Sequence, residues 1–282
     1  MYVLMSPSLS ILWGLLTPVV FIGSIYIKKP KNYLRDHPEE IKRRFLVVGT
    51  STFIWNSLFY YLNSINSLSS QGPDLLTWVG LSITLSNFLS TICALLITMV
   101  LFLGNIFQEI LDPPEININL TSIRAYIMAP IFEEAMYRSC LINALISGGF
   151  GWNSVVISSL IFGLSHFYRI EDVLNYKKDL EFRDFIPVLF QVCFTTLFGL
   201  YVGYVFVVTG SLFAIIVLHS FCNFMGLPSM RFLDDTHPAF RYKREIGLAY
   251  VVGIIGFFAL LGWALRPEYF GSWHTEFIKR NS

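Results

Sequence analysis

The sequence predicts an all-α, polytopic integral membrane protein with about eight transmembrane helices. Three observations predict it. Hydrophobic residues make up 54% of the 282 and charged residues only 14%, whereas soluble domains carry roughly a quarter charged residues. Mean hydropathy is strongly positive, at +0.59. Apolar runs approaching the ~20 residues that cross a hydrocarbon core recur along the chain. A net charge of +1 provides no basic surface of the kind nucleic acid requires.

The expected spans, in order, are 3–27, 45–62, 78–107, 122–147, 152–168, 187–209, 211–226 and 246–265. The first lacks a basic start and a small-residue cleavage site, so it is expected to be a retained span rather than a signal peptide. Several later runs are short, or are joined to a neighbour by one or two residues, a pattern that also suits a re-entrant segment. No internal repeat interrupts the series. The chain therefore reads as one transmembrane domain, 1–282, with its polar motifs gathered in a core of about 122–228.

Lys and Arg set the orientation. The loops 28–44, 108–121, 169–186 and 227–245 hold 7, 0, 4 and 4 basic residues, against only Arg266, Lys279 and Arg280 on the opposite side. This asymmetry assigns those loops to the cytosol and both termini to the other face. The sequon Asn119-Leu120-Thr121 then faces the cytosol and is expected to stay unmodified. Cys93, Cys140, Cys193 and Cys222 all fall inside apolar spans. They read as small core residues rather than a disulfide framework.

The charges within the spans carry the chemistry. The acids are Glu133 and Glu134; the bases are Arg138 and, at a boundary, Arg124. A charge at the centre of a spanning helix costs about 2.5–3.5 kcal/mol on insertion scales, so such residues are paired or functional. Glu134 and Arg138 stand four apart with the acid first, the favourable order for an ion pair. Glu133 is turned by about 100° from that face and has no partner of its own in the helix. Pro130, three residues earlier, is expected to loosen the turn. A purely structural Glu–Arg staple would leave Glu133 unexplained.

Two histidines complete the set. His166 ends the run "SSLIFGLSHF", where a lone histidine reads as an interfacial or capping residue. His219 and Asn223, four apart in "HSFCN", share a face and need partners, because unsatisfied polar groups are expensive in lipid. A free carboxylate, two imidazoles and an amide suit an activated water. The carboxylate acts as general base, one imidazole holds the water, and the second imidazole with the amide stabilises an oxyanion. The inferred reaction is hydrolysis of a carbonyl compound within the bilayer.

Other chemistries are less well served. No H-E-x-x-H or G-x-S-x-G motif is present, and no aspartate lies in a span to form an aspartyl dyad. Cys222, in apolar surroundings, is expected to be inert. One glutamate and two histidines would also suit zinc with an open fourth position, an alternative the residues leave open. A proton-coupled transporter uses similar Glu and His chains, but the repeats and interrupted helices typical of one are not evident. A non-catalytic membrane scaffold is the third reading.

In order along the chain, "EEAMYR" has the form E-E-x-x-x-R, "FGLSH" the form F-x-x-x-H and "HSFCN" the form H-x-x-x-N. Together they resemble the CAAX protease and bacteriocin-processing superfamily. "RDHPEEIKRRF", "LLITMVLFLG" and "HSFCNFMGLP" are similar to its eukaryotic branch, the Ras-converting CAAX endopeptidases or type II CAAX prenyl proteases. The resemblance runs from about 35 to 228. It implies an endoplasmic reticulum protein that removes the last three residues of prenylated CAAX proteins such as Ras-type small GTPases. It also implies Glu133 and His166 on the water, His219 and Asn223 at the oxyanion, Glu134 and Arg138 in support, and no cofactor. A prenylated tail already lies in the cytosolic leaflet, so a site open to lipid and cytosol would admit it.

Overall fold

A computed structural model describes residues 5–30, 34–66, 73–115, 117–176 and 180–281. Residues 3 and 4 of the first expected span, and Lys31, Lys177 and Lys178 of the basic loops, lie outside them. Helix α1 (Pro7–Tyr26) starts where the Ser6 hydroxyl accepts the Leu9 N–H and Pro7 fills the first turn. Proline's missing donor costs nothing there. Helix α2 is Pro38–Asn66. The short α3 (Leu75–Val79) is capped by Asp74 and stopped at Gly80, whose φ of 85° is costly for residues with a Cβ. The expected single run 78–107 is thus divided. After α3, the helices α4 (Leu85–Leu101) and α5 (Leu103–Leu111) meet at Phe102 with a bend of 73°.

Helix α6 is a continuous helical run over 120–147 in which α-turns alternate with wider π-turns at Arg124–Met128 and Ala135–Ile142. Pro130 lies two residues past the first π-turn. Its ring excludes the ordinary hydrogen bond to the preceding turn, and the wide turn accommodates that loss. Then follow α7 (Asn153–Ser165), α8 (Ile170–Tyr176), α9 (Phe182–Thr209), α10 (Leu212–Met225), α11 (Lys243–Ala264), α12 (Pro267–Phe270) and α13 (Trp273–Asn281). Among the described residues all regular structure is helical.

Four helices, α1, α2, α9 and α11, are long and apolar enough to cross a membrane, or five if the bent α4–α5 pair forms one span. The expected count of about eight is therefore not reached by length and apolarity. The reason is physical. Helix α6 carries four charged residues, and α7 and α10 have only 13 and 14 residues, below the ~20 a span requires.

Of these three, α6 forms the inside of the bundle, while α7 and α10 each keep an exposed apolar face at Val156, Leu160, Leu164 and Phe213. From Met136 to Ser147 every residue of α6 is buried, the mark of a core helix rather than a lipid-facing one. The outer helices show the reverse: Leu15, Phe53, Leu197, Ile255 and Phe258 are exposed, an apolar exterior suited to hydrocarbon. Helix α9 packs closely on α7, and α10 and α11 pack on α4. The α7–α9 approach depends on small residues: a Cβ on Gly163 would lie 2.9 Å from the Val192 carbonyl oxygen. Close backbone approach of this kind is how helices associate in lipid. Only Cys140 is fully buried; Cys93 and Cys222 are half-buried and Cys193 is exposed. The expectation of core cysteines thus holds for Cys140 alone, because the other three sit on faces turned partly outward.

Candidate active site

On α6 the residues Ala125, Met128, Ala129, Phe132, Glu133 and Tyr137 recur at helical spacing and line one cavity of about 650 Å³. His166, His219 and Asn223 line the same cavity. The four residues expected to carry catalysis are therefore brought together by α6, the end of α7, and α10.

The supporting pair lies directly behind them. Glu134 and Arg138 are 0% and 1% exposed, and Arg138 Nη1 donates to Glu134 Oε1 at 3.1 Å. The same oxygen lies 2.6 Å from His219 Nδ1. Glu134 thus holds the His219 ring in place as well as neutralising the arginine. The Arg138 guanidinium also rests 4.2 Å from the Phe162 ring centroid and 5.9 Å from that of Phe198, a desolvated cation–π arrangement.

Glu133 is partly exposed to the cavity, and its Oε2 lies 3.8 Å from His219 Nε2, beyond hydrogen-bond range. Its carboxylate therefore remains available. His166 caps α7, with Nδ1 2.9 Å from the Phe162 carbonyl oxygen. A carbonyl only accepts, so Nδ1 carries the proton and Nε2 of the neutral ring is an acceptor. Two hydroxyl contacts fix α6 against α7 beside it. Tyr137 Oη donates to Ser165 Oγ at 2.8 Å, and Ser158 Oγ donates to the Tyr137 carbonyl at 2.8 Å.

Asn223 is held through a consequence of Pro130. The Ala129 N–H bonds the Arg124 carbonyl in π register. Continuing that register, the Ala125 carbonyl would need the N–H of residue 130, and proline has none. Asn223 Nδ2 supplies the donor at 2.9 Å. One N–H of its amide is used, and the other remains for a ligand.

Among the described residues, no group of three or more His, Cys, Asp and Glu side chains is placed to hold a metal ion. Four arginines, Arg35, Arg44, Arg124 and Arg169, also line the cavity, together with an apolar wall that includes Phe190, Phe194 and Phe198. Sequence reasoning singled out Arg124 only as a boundary residue and missed the other three, which lie in or beside loops. Tyr137 was missed too, although its position four residues after Glu133 places it on the same face. The Glu134–His219 bond spans 85 residues and left no local signal.

A family model described as type II CAAX prenyl endopeptidase Rce1-like matches residues 115–225, a stretch that contains every one of the motif residues. CAAX prenyl protease 2 of Homo sapiens is 31% identical over 273 residues, covering 89% of this chain and 80% of that protein. The Caenorhabditis elegans protein of the same name is 26% identical over 250 residues, covering 86% of this chain and 93% of that protein. CAAX prenyl protease 2 of Saccharomyces cerevisiae is 35% identical over 117 residues, covering 39% of this chain and 37% of that protein. No solved structure matches.

Proposed function

The chain belongs to the type II CAAX prenyl endopeptidase family, and from that premise we propose that it removes the C-terminal aaX tripeptide of prenylated CAAX proteins by an activated water. Glu133 takes a proton from the water as the oxygen attacks the scissile carbonyl, and His166 accepts a hydrogen bond that orients the same water. The oxyanion forms against His219 and the second Asn223 N–H. For His219 to donate there, its ring carries both protons: Nδ1–H faces Glu134 and Nε2–H faces the oxyanion. Collapse of the intermediate breaks the C–N bond, and the protonated Glu133 returns its proton to the departing amine. The products are a prenylcysteine carboxylate and a free tripeptide.

Glu134 and Arg138 act through His219, which they hold at a fixed angle. The apolar wall of Phe190, Phe194 and Phe198 suits an isoprenoid. In this reading the substrates include Ras-type small GTPases, the site opens to the cytosolic side of the endoplasmic reticulum membrane, and no metal takes part. The observation that carries the reading is the meeting of Glu133, His166, His219 and Asn223 on one cavity. Purified protein in lipid should release the tripeptide from a farnesylated CAAX peptide, and release should fall sharply when the farnesyl group is absent. Equal cleavage of both peptides, or of neither, would contradict it.

A further inference from the structure

The proposed reaction leaves the arginines unused. Four guanidiniums line the cavity, and among the described residues Glu133 is the one carboxylate that lines it with them. They are not equally committed. Arg44 Nε bonds Glu40 at 2.7 Å, and Arg43 bonds the same carboxylate. Arg169 Nη1 donates to Gln191 at 2.8 Å. Arg124, at the start of the motif helix, uses Nη1 for both Asp36 at 2.8 Å and the Arg35 carbonyl at 3.0 Å. Arg35 Nε is buried with no hydrogen-bond partner among the described residues. A buried guanidinium N–H left in that state is costly.

Resting on the reading above, we infer that Arg35 and Arg124 bind the free α-carboxylate of the substrate's last residue and thereby fix the cut three residues from the end. The Asp36 carboxyl is held below its ordinary range by its hydrogen bond to Arg124, with further help from Arg35 and Arg44. Arg124 is the one that touches it, at 2.8 Å, and its contact with the Arg35 carbonyl at 3.0 Å keeps the two arginines side by side. The spacing also fits. Arg124 precedes Glu133 by nine residues, about 13 Å along a helix at ~1.5 Å per residue. Three extended residues span roughly 10 Å, leaving the remainder to the arginine side chain. Planar guanidinium forks match a carboxylate in two-point contact, so the pair serves as both anchor and ruler.

The test compares a farnesylated CAAX peptide with a free C-terminal carboxylate against the same peptide as a C-terminal amide. It uses wild-type protein, Arg35→Gln, Arg124→Gln, the Arg35→Gln/Arg124→Gln double variant, and Arg35→Lys as the conservative change. Wild type should prefer the acid by roughly 10- to 100-fold in kcat/KM, mainly through KM. The Gln variants should lose that preference by slowing on the acid alone, and Arg35→Lys should retain part of it. Because the acid-to-amide ratio is internal to each variant, a general folding defect does not mimic the effect. Equal use of acid and amide by wild type, or an unchanged ratio in the double variant, would overturn the inference while leaving the proposed activity intact. Loss that appears only in vesicles of anionic lipid, with the ratio unchanged, would instead make the arginines headgroup contacts. No cleavage of the acid peptide by wild type would overturn both.

Discussion

Glu134 is the residue through which the site is held together, since one carboxylate oxygen serves both Arg138 and His219. Breaking a buried ion pair from one side costs about 3–5 kcal/mol because the remaining charge is stranded. Glu134→Gln should therefore lower the thermal unfolding temperature in detergent and reduce tripeptide release at least 100-fold. Adding Arg138→Met to it should recover much of the stability and none of the activity, since the apolar replacement removes the stranded charge but the neutral glutamine no longer balances a His219 ring that donates from both nitrogens. Recovery of activity in the double variant would show that Glu134 is only a counter-ion. The sequence made half of this legible: an acid four residues before a base on one helix pairs locally. The histidine link was not legible, because it depends on how α10 crosses α6.

At the scale of the element, α6 departs most from what a hydropathy reading expects. Its charges and its wholly buried second half make it the core of the bundle, so its apolar residues answer to packing rather than to lipid. The weakening at Pro130 was legible from the ring alone. Its consequence, a carbonyl at Ala125 left for Asn223, required the π register and so was not. Pro130→Ala restores an N–H that competes for that carbonyl. It should lower kcat several-fold, in line with about 1 kcal/mol for a redistributed hydrogen bond, with KM little changed. An effect confined to KM would detach Pro130 from Asn223. The bend between α4 and α5 falls at Phe102, two residues before Gly104, and a single glycine in an apolar run did not mark it as a break.

Over the whole molecule, the distribution of Lys and Arg predicts the orientation, and the cavity-lining Arg35, Arg44 and Arg169 belong to the loops that the distribution assigns to the cytosol. Translation into microsomes should leave Asn119 unglycosylated, and a sequon appended after the C-terminal helix α13 should be modified. The opposite pattern would place the cavity mouth in the lumen, away from prenylated tails. All-helical architecture and membrane residence were legible from composition. How far each helix other than α6 is buried was not, because a face packed on protein and one turned to lipid are both apolar.

The most direct test of the central claim is tripeptide release from a farnesylated CAAX peptide by wild type and Glu133→Gln, each with and without a zinc chelator. Glu133→Gln keeps the side chain's size, and among the described residues Glu133 has no ion pair shorter than 3.8 Å, so folding should be preserved. A glutamate-activated water predicts that wild-type release survives the chelator and that the variant loses about 10²- to 10⁴-fold. Wild-type release abolished by the chelator and restored by zinc, or a variant as active as wild type, would contradict it.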